Sequence, residues 1–283
     1  MKPISFILLF LAFTTIAHAQ GTLTISITPQ SVRGGDFYVP TSGSNNPTYI
    51  TADRKLTAGI SIGGTVALPI KAPFAIVTGL GYSSAGQRTA YDGLQQYTST
   101  IVDNFTIKSS VSLHYLRVPA LIVYAPQTDK KVGYYVQGGI YVGILAAYKR
   151  VVFVEDRLSN GDYSSTTQTA SGNEIKGESE SSSGNPSTVT YPLLEKPFHS
   201  TEIGFLFDGG LRIKNTDHFA IRLGLAFNQG IRNVKNETSQ YTDSNASNAE
   251  LYWKTWTASS DPNKTAKYRN RGMGLSFGFE FGL

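Results

Sequence analysis

The carboxyl-terminal run Met273-Gly274-Leu275-Ser276-Phe277-Gly278-Phe279-Glu280-Phe281-Gly282-Leu283 alternates without a break. Its odd positions are large and apolar; its even positions are glycine, serine or a carboxylate. A period of two means a β-strand with one apolar face, because successive side chains leave a strand on opposite sides. The same pattern returns in four other stretches. In residues 58–70, Ile60, Ile62, Val66, Leu68 and Ile70 share one parity; in 134–148, Val136, Ile140, Val142 and Ile144 oppose Tyr135, Gln137, Gly139, Tyr141 and Gly143. In 203–213, Ile203, Phe205, Phe207, Leu211 and Ile213 oppose Glu202, Gly204, Asp208, Gly210 and Arg212, and in 219–227 Phe219, Ile221, Leu223, Leu225 and Phe227 oppose Ala220, Arg222, Gly224 and Ala226. Weaker members lie at 22–32, 74–91 and 110–124; the last contains Pro119, which lacks a ladder donor and predicts a bulge or irregular pairing.

These make eight strands, and their connections alternate in length. Residues 71–73, 126–131 and 214–218 are short links, whereas 33–55, 92–109, 156–196 and 235–267 are long. Tight turns then collect at one rim and extended loops at the other, and closure removes the exposed edges of the sheet. The expected fold is therefore an all-β, eight-stranded antiparallel up-and-down transmembrane β-barrel with long extracellular loops and both termini periplasmic. Residues 159–190, rich in Ser, Gly, Thr and Glu, read as a mobile loop.

Alternation alone does not say which face meets lipid, since a secreted ligand-binding barrel would turn its apolar face inward. The polar face is dense in Gly, Ala and Ser, which suits a narrow lumen better than a solvated wall. Phe74, Tyr82, Tyr134, Tyr148, Phe219 and Phe281 stand toward strand ends on the apolar face, where interfacial girdles form. Lipid outside places Arg117, Lys149, Glu202, Asp208, Arg212, Arg222 and Glu280 in a lumenal charge network, with Arg212 and Arg222 sharing Glu280. Arginine at Ile140 should then block membrane assembly, and serine at Gly139 should be milder. Eight strands leave a lumen just wide enough for side chains, so free passage of solutes is not expected.

Residues 1–19 have a positive start at Lys2, an apolar core from Ile4 to Ile16, and Ala17-His18-Ala19 before Gln20; this reads as a signal peptide, with residues 20–283 a single outer-membrane barrel domain. No later apolar run approaches the roughly 18 residues of a membrane helix. The chain of 283 residues has no cysteine, which excludes disulfides, thiolate metal sites and cysteine nucleophiles. Its 25 Lys and Arg against 20 Asp and Glu are scattered without the basic stripe of a nucleic-acid binder. No His or carboxylate cluster has metal-ligand spacing, and no cofactor is expected.

The sequence Tyr115-Leu116-Arg117-Val118-Pro119, the glycines between Gly138 and Gly143, Gly209-Gly210 and the terminal alternating strand together resemble the outer-membrane β-barrel domain family of Bacteroidota, which includes the PorT-like proteins. The resemblance implies an eight-stranded barrel set in outer-membrane lipid by the barrel-assembly machinery, and relatives that assist protein secretion. Arg117 stands where the family's motif often carries an acidic residue.

The functional reading is a barrel with a side-chain-filled lumen in a structural, surface-interaction or secretion-accessory role, with an extracellular or secretion-complex protein as partner. Tyr252, Trp253 and Trp256 are the exposed aromatic anchors expected in the last long loop. The alternative is an outer-membrane barrel enzyme of lipid hydrolase or acyltransferase type. For that, His114 and His199 lie near outer strand ends beside Ser112 and Ser200, while His218 sits in a turn. A non-enzymatic role is expected.

Overall fold

A computed structural model describes residues 22–33, 48–55, 57–96, 102–126, 130–158, 160–192, 198–234 and 269–282. The signal segment 1–19 and Tyr252, Trp253 and Trp256 lie outside them. Among the described residues are twelve strands: β1 (Thr22–Arg33), β2 (Thr48–Lys55), β3 (Thr57–Lys71), β4 (Phe74–Gln96), β5 (Val102–Tyr124), β6 (Val132–Leu158), β7 (Tyr163–Ser171), β8 (Glu174–Ser181), β9 (Gly184–Pro192), β10 (Thr201–Thr216), β11 (Phe219–Gly230) and β12 (Arg271–Gly282). Every pairing is antiparallel.

Eight of these strands close a ring. The order runs β1-β3-β4-β5-β6-β10-β11-β12, and the first meets the last through Leu23 opposite Phe281. The eight runs with period two are these eight strands. Their alternating faces turn outward as expected: Ile62, Ile76, Ile122, Ile140, Phe207, Leu225 and Phe277 are exposed large apolar groups, whereas Arg117, Glu202, Arg222 and Glu280 are buried. In a water-soluble protein such an apolar surface would be a liability; around a barrel it is the lipid contact. Phe74, Tyr124 and Tyr134 form one run of rings at the turn rim, with centroids 5.2 and 6.1 Å apart, and Phe219 meets Phe281 at 5.4 Å nearby.

Four features depart from the sequence reading. First, the strands continue past the membrane. A spanning strand needs about 9–11 residues, yet β4 and β5 have 23 each and β6 has 27. Residues 92–109, expected as a loop, therefore include the paired ends of β4 and β5. Second, the stretch expected as a mobile loop at 159–190 is largely paired strand from residue 163 onward. It includes the meander β7-β8-β9, which adds to the upper part of β6, while β2 adds to the upper part of β4. The result is an open sheet, here called the wing, in the order β2-β4-β5-β6-β7-β8-β9.

Third, the irregular pairing expected at Pro119 is present toward β4, where the ladder skips Val118 and Pro119 between Arg117 and Ala120, but the bulge lies elsewhere and on the β6 side. Pro119 stays in register opposite Tyr141, and the register shifts instead between His114 and Tyr115, whose partners are Ala147 and Leu145. Ala146 is thus the extra residue of a bulge, and it reverses parity for the rest of β6. Tyr141 and Gly143 point inward below it; Tyr148, Arg150, Val152 and Val154 point inward above it. Lys149 therefore faces outward and is no member of the lumenal network, and Tyr148 is an inward ring that donates to the Gly172 carbonyl at 2.7 Å. Fourth, a Cβ at Gly139 would stand 2.3 Å from the Ala120 carbonyl oxygen, so serine there is not a mild change.

Candidate functional site

The lumen is filled by three tiers of polar groups, each centred on a carboxylate. Glu202 of β10 has no exposed surface and holds the tier nearest the loop rim. Arg117 Nη2 donates to its Oε2 at 3.0 Å; the Tyr141 hydroxyl and Asn270 Nδ2 donate to its Oε1 at 3.1 and 2.9 Å. The Arg117 guanidinium also lies 4.4 Å from the Tyr141 ring centroid, so its face is covered as well as its edge. In the middle tier Asp208 accepts from Gln137 Nε2 at 2.9 Å, Ser276 Oγ at 2.7 Å and the Tyr135 hydroxyl at 3.2 Å. At the turn rim Glu280 Oε1 accepts from Arg212 Nε and Nη2 at 2.9 and 2.5 Å, and its Oε2 lies 3.3 Å from Arg222 Nε. Arg222 reaches upward too, 4.1 Å from the Tyr135 ring.

Glycine makes this packing possible. A Cβ at Gly204 would stand 2.5 Å from Tyr141 Cζ, and one at Gly224 would stand 2.5 Å from the Tyr135 hydroxyl. The small-residue face is the space in which two tyrosines lie across the barrel.

With Lys149 outside, three arginines face three carboxylates in these tiers: Arg117, Arg212 and Arg222 against Glu202, Asp208 and Glu280. Charge balance matters because an unpaired ion in a narrow, dry lumen carries a large desolvation cost. Between the lower tiers a cavity of about 80 Å³ is lined by Tyr135, Gln137, Asp208, Arg222 and Ser276, and a pocket of about 190 Å³ opens under Arg212 and Glu280 at the turn rim. Such an arrangement fills the lumen with paired polar groups.

Tyr115, Tyr135, Tyr141, Gln137, Asn270 and the buried Arg150 were not among the network residues expected from sequence. The tyrosines carried a signal: Tyr115 shares a strand and its inward parity with Arg117, and Tyr135 and Tyr141 oppose the apolar Val136, Ile140 and Val142 on β6. Arg150 did not, because its inward direction depends on the bulge.

On the outward wall, His114 bridges two hydroxyls. Tyr82 Oη lies 2.5 Å from its Nδ1, Ser112 Oγ lies 3.1 Å from its Nε2, and the Tyr82 and His114 rings stack at 5.9 Å. His199 belongs to the chain return, where its N–H donates to the Val234 carbonyl at 2.7 Å, and His218 is an exposed turn residue. At that turn Lys214 Nζ stands 2.9 Å from Asp217 Oδ1, and the hydrogen bond and charge of the ammonium hold this carboxyl below its ordinary range. Among the described residues no cluster of three His, Asp or Glu is arranged for a metal ion.

No curated protein matches the chain in sequence. Among solved structures it is similar to the Neisserial surface protein A, at 12% identity over 93% of this chain and 97% of that one, with a TM-score of 0.30. It is similar to the translocator domain of the autotransporter NalP from Neisseria meningitidis, at 9% identity over 99% and 95% of the two chains with a TM-score of 0.25. A TodX monoaromatic hydrocarbon channel mutant is 7% identical over 96% and 92%, with a TM-score of 0.20. The family model described as outer membrane protein beta-barrel domain matches residues 29–176, just over half of the chain. The chain therefore belongs to the outer-membrane β-barrel domain family, a group of barrels of the outer membrane.

Proposed function

We propose that the barrel is a sealed anchor that holds the wing at the cell surface for structural, surface-interaction or secretion-accessory work, in the manner of a PorT-like protein. The short turns and the termini then face the periplasm, the wing faces outward, and its partner is an extracellular or secretion-complex protein. Cleavage after residue 19 and insertion by the barrel-assembly machinery precede this role. The observation that carries the reading is the filled lumen: among the described residues, cavities of about 80 and 190 Å³ lie at the lower two of three carboxylate-centred tiers, so the interior is built for rigidity rather than passage. What remains free to act is the wing, and loops and sheets on rigid supports commonly carry binding.

Two measurements test this. Reconstituted into planar bilayers, the barrel should show no steady conductance; a steady open state would refute the anchor. Replacing residues 160–192 by a short turn should leave heat-shifted gel migration intact and abolish the surface or secretion phenotype; an unchanged phenotype would refute the role of the wing. The Ser112–His114 contact raises the hydrolase alternative, which predicts fatty-acid release from phospholipid that disappears in Ser112→Ala.

A further inference from the structure

The outward face of β4, β5 and β6 changes character along a sharp line. From the ring of Phe74, Tyr124 and Tyr134 up to Tyr82, Leu116 and Ile144, the outward residues of these strands are mostly large and apolar. From Tyr124 to Leu116 is eight residues of one strand, about 27 Å of chain and a little over 20 Å of height at barrel tilt, close to the thickness of the apolar band. Immediately above lie Ser84, Ser112 and His114, then Ser110, Arg88, Lys149 and Lys108.

The register gathers these groups. Ser112 pairs with Lys149, Ser110 pairs with Arg88, and Lys108 follows Ser110 on the same strand face. Arg88 and Lys149 stand on the strands flanking β5, roughly 10 Å apart, so their long side chains can converge over the two serine hydroxyls between them. Arg88, Lys108 and Lys149 are all exposed. Lys108 rests 5.6 Å above the Phe153 ring, and among the described residues no carboxylate pairs with any of the three. On β6 and β8 the acids of this face are engaged or further out: Glu155 with Arg157, Glu178 with Lys176, and Glu174 two strands from Lys149 opposite Ser171; on β2, Lys55 stands opposite Arg88 and Asp53 opposite Ala90. The His114 imidazole, fixed between Ser112 and Tyr82, closes the lower border.

Three cations around two hydroxyls, at the height where headgroups begin, make an anion site against the membrane. We propose that Arg88, Lys108 and Lys149, with Ser110, Ser112 and His114, bind the phosphate of a lipid headgroup in the leaflet at the loop rim. The lipid tails then lie on the apolar wall below, which a soluble phosphate cannot use. This inference rests on the outward apolar face of the barrel and is independent of what the wing binds.

The test uses the full chain in phosphatidylcholine nanodiscs doped with phosphatidic acid, with retained lipid read by native mass spectrometry. The wild type should retain phosphatidic acid over phosphatidylcholine. Each single change to Gln at Arg88, Lys108 or Lys149 should weaken that preference about fivefold, and the triple change on the order of a hundredfold. Lys131→Gln, at the opposite rim, should leave it unchanged, and heat-shifted migration confirms that every variant is folded. Equal retention by the folded triple variant would overturn the proposal. Displacement of phosphatidic acid by millimolar inorganic phosphate would overturn the lipid source and assign the site to a free anion.

Discussion

Below His114, β5 and β6 are a membrane wall; above it they are part of a wing, and the outward face of the same strands changes from apolar to polar. In the lower half Leu116, Val118 and Ile122 point outward while Arg117 points in; in the upper half Lys108, Ser110 and Ser112 point outward while Val111 and Leu113 are buried. Both halves of β5 obey one alternation, β6 resumes its own after the bulge at Ala146, and what differs is the surroundings. Alternation therefore says where a strand runs, and the sign of its outward face says what surrounds it.

The largest way to break this contrast is in the lumen. Glu202→Ala would leave Arg117 buried beside empty space and should destabilise the barrel by about 3–5 kcal/mol, seen as a lowered urea midpoint in lipid vesicles. Glu202→Leu together with Arg117→Met should recover much of that loss, because both charges leave together. Next, arginine on the outward face should separate the two halves of β6. Ile140→Arg places a charge in the apolar band at roughly 2–4 kcal/mol and should prevent heat-shifted migration, whereas Val151→Arg, above the line, should stay within about 0.5 kcal/mol. Equal effects at the two positions would erase the boundary at His114.

A finer probe separates lumenal glycines. Gly204→Ala sets a methyl group against Tyr141 and the Gln229 carbonyl and should cost about 1–3 kcal/mol, while Gly81→Ala meets only ordinary contact at 3.4 Å and should be nearly silent. The smallest effect lies at the turn rim. The folded-state pKa of Asp217 is depressed by Lys214, so the pair stabilises the turn above the ordinary carboxylate range and loses that contribution as pH falls through the folded pKa. Any difference in unfolding midpoint between wild type and Asp217→Asn should be present at neutral pH and vanish in acid.

The ring was legible because its strands alternate large apolar residues with small ones, a pattern that coil does not produce. The wing was not. Tyr163–Ser171, Glu174–Ser181 and Gly184–Pro192 are mostly Ser, Thr, Glu and Gly, with too few apolar positions to show a period. They fold by extending a ladder from the free edge of β6, a tertiary cause invisible in their own composition. Within the network, Arg212, Arg222 and Glu280 were placed by parity alone, since β10, β11 and β12 carry no bulge along their lumenal stretch. Lys149 was misplaced for the opposite reason. Counting parity straight through Ala146 assumes one residue per step, and the bulge breaks that assumption without any glycine or proline to announce it.

The far edge of β6 changes partner near that bulge: β10 holds it from Val132 to Ile144, and β7 holds it from Lys149 to Arg157. No linker intervenes, so any tug on the outer sheet travels along unbroken backbone into the barrel wall. There the load is shared in shear by rows of hydrogen bonds on both flanks rather than peeled apart one at a time. A sheet rooted in this way has the wall itself as its mount.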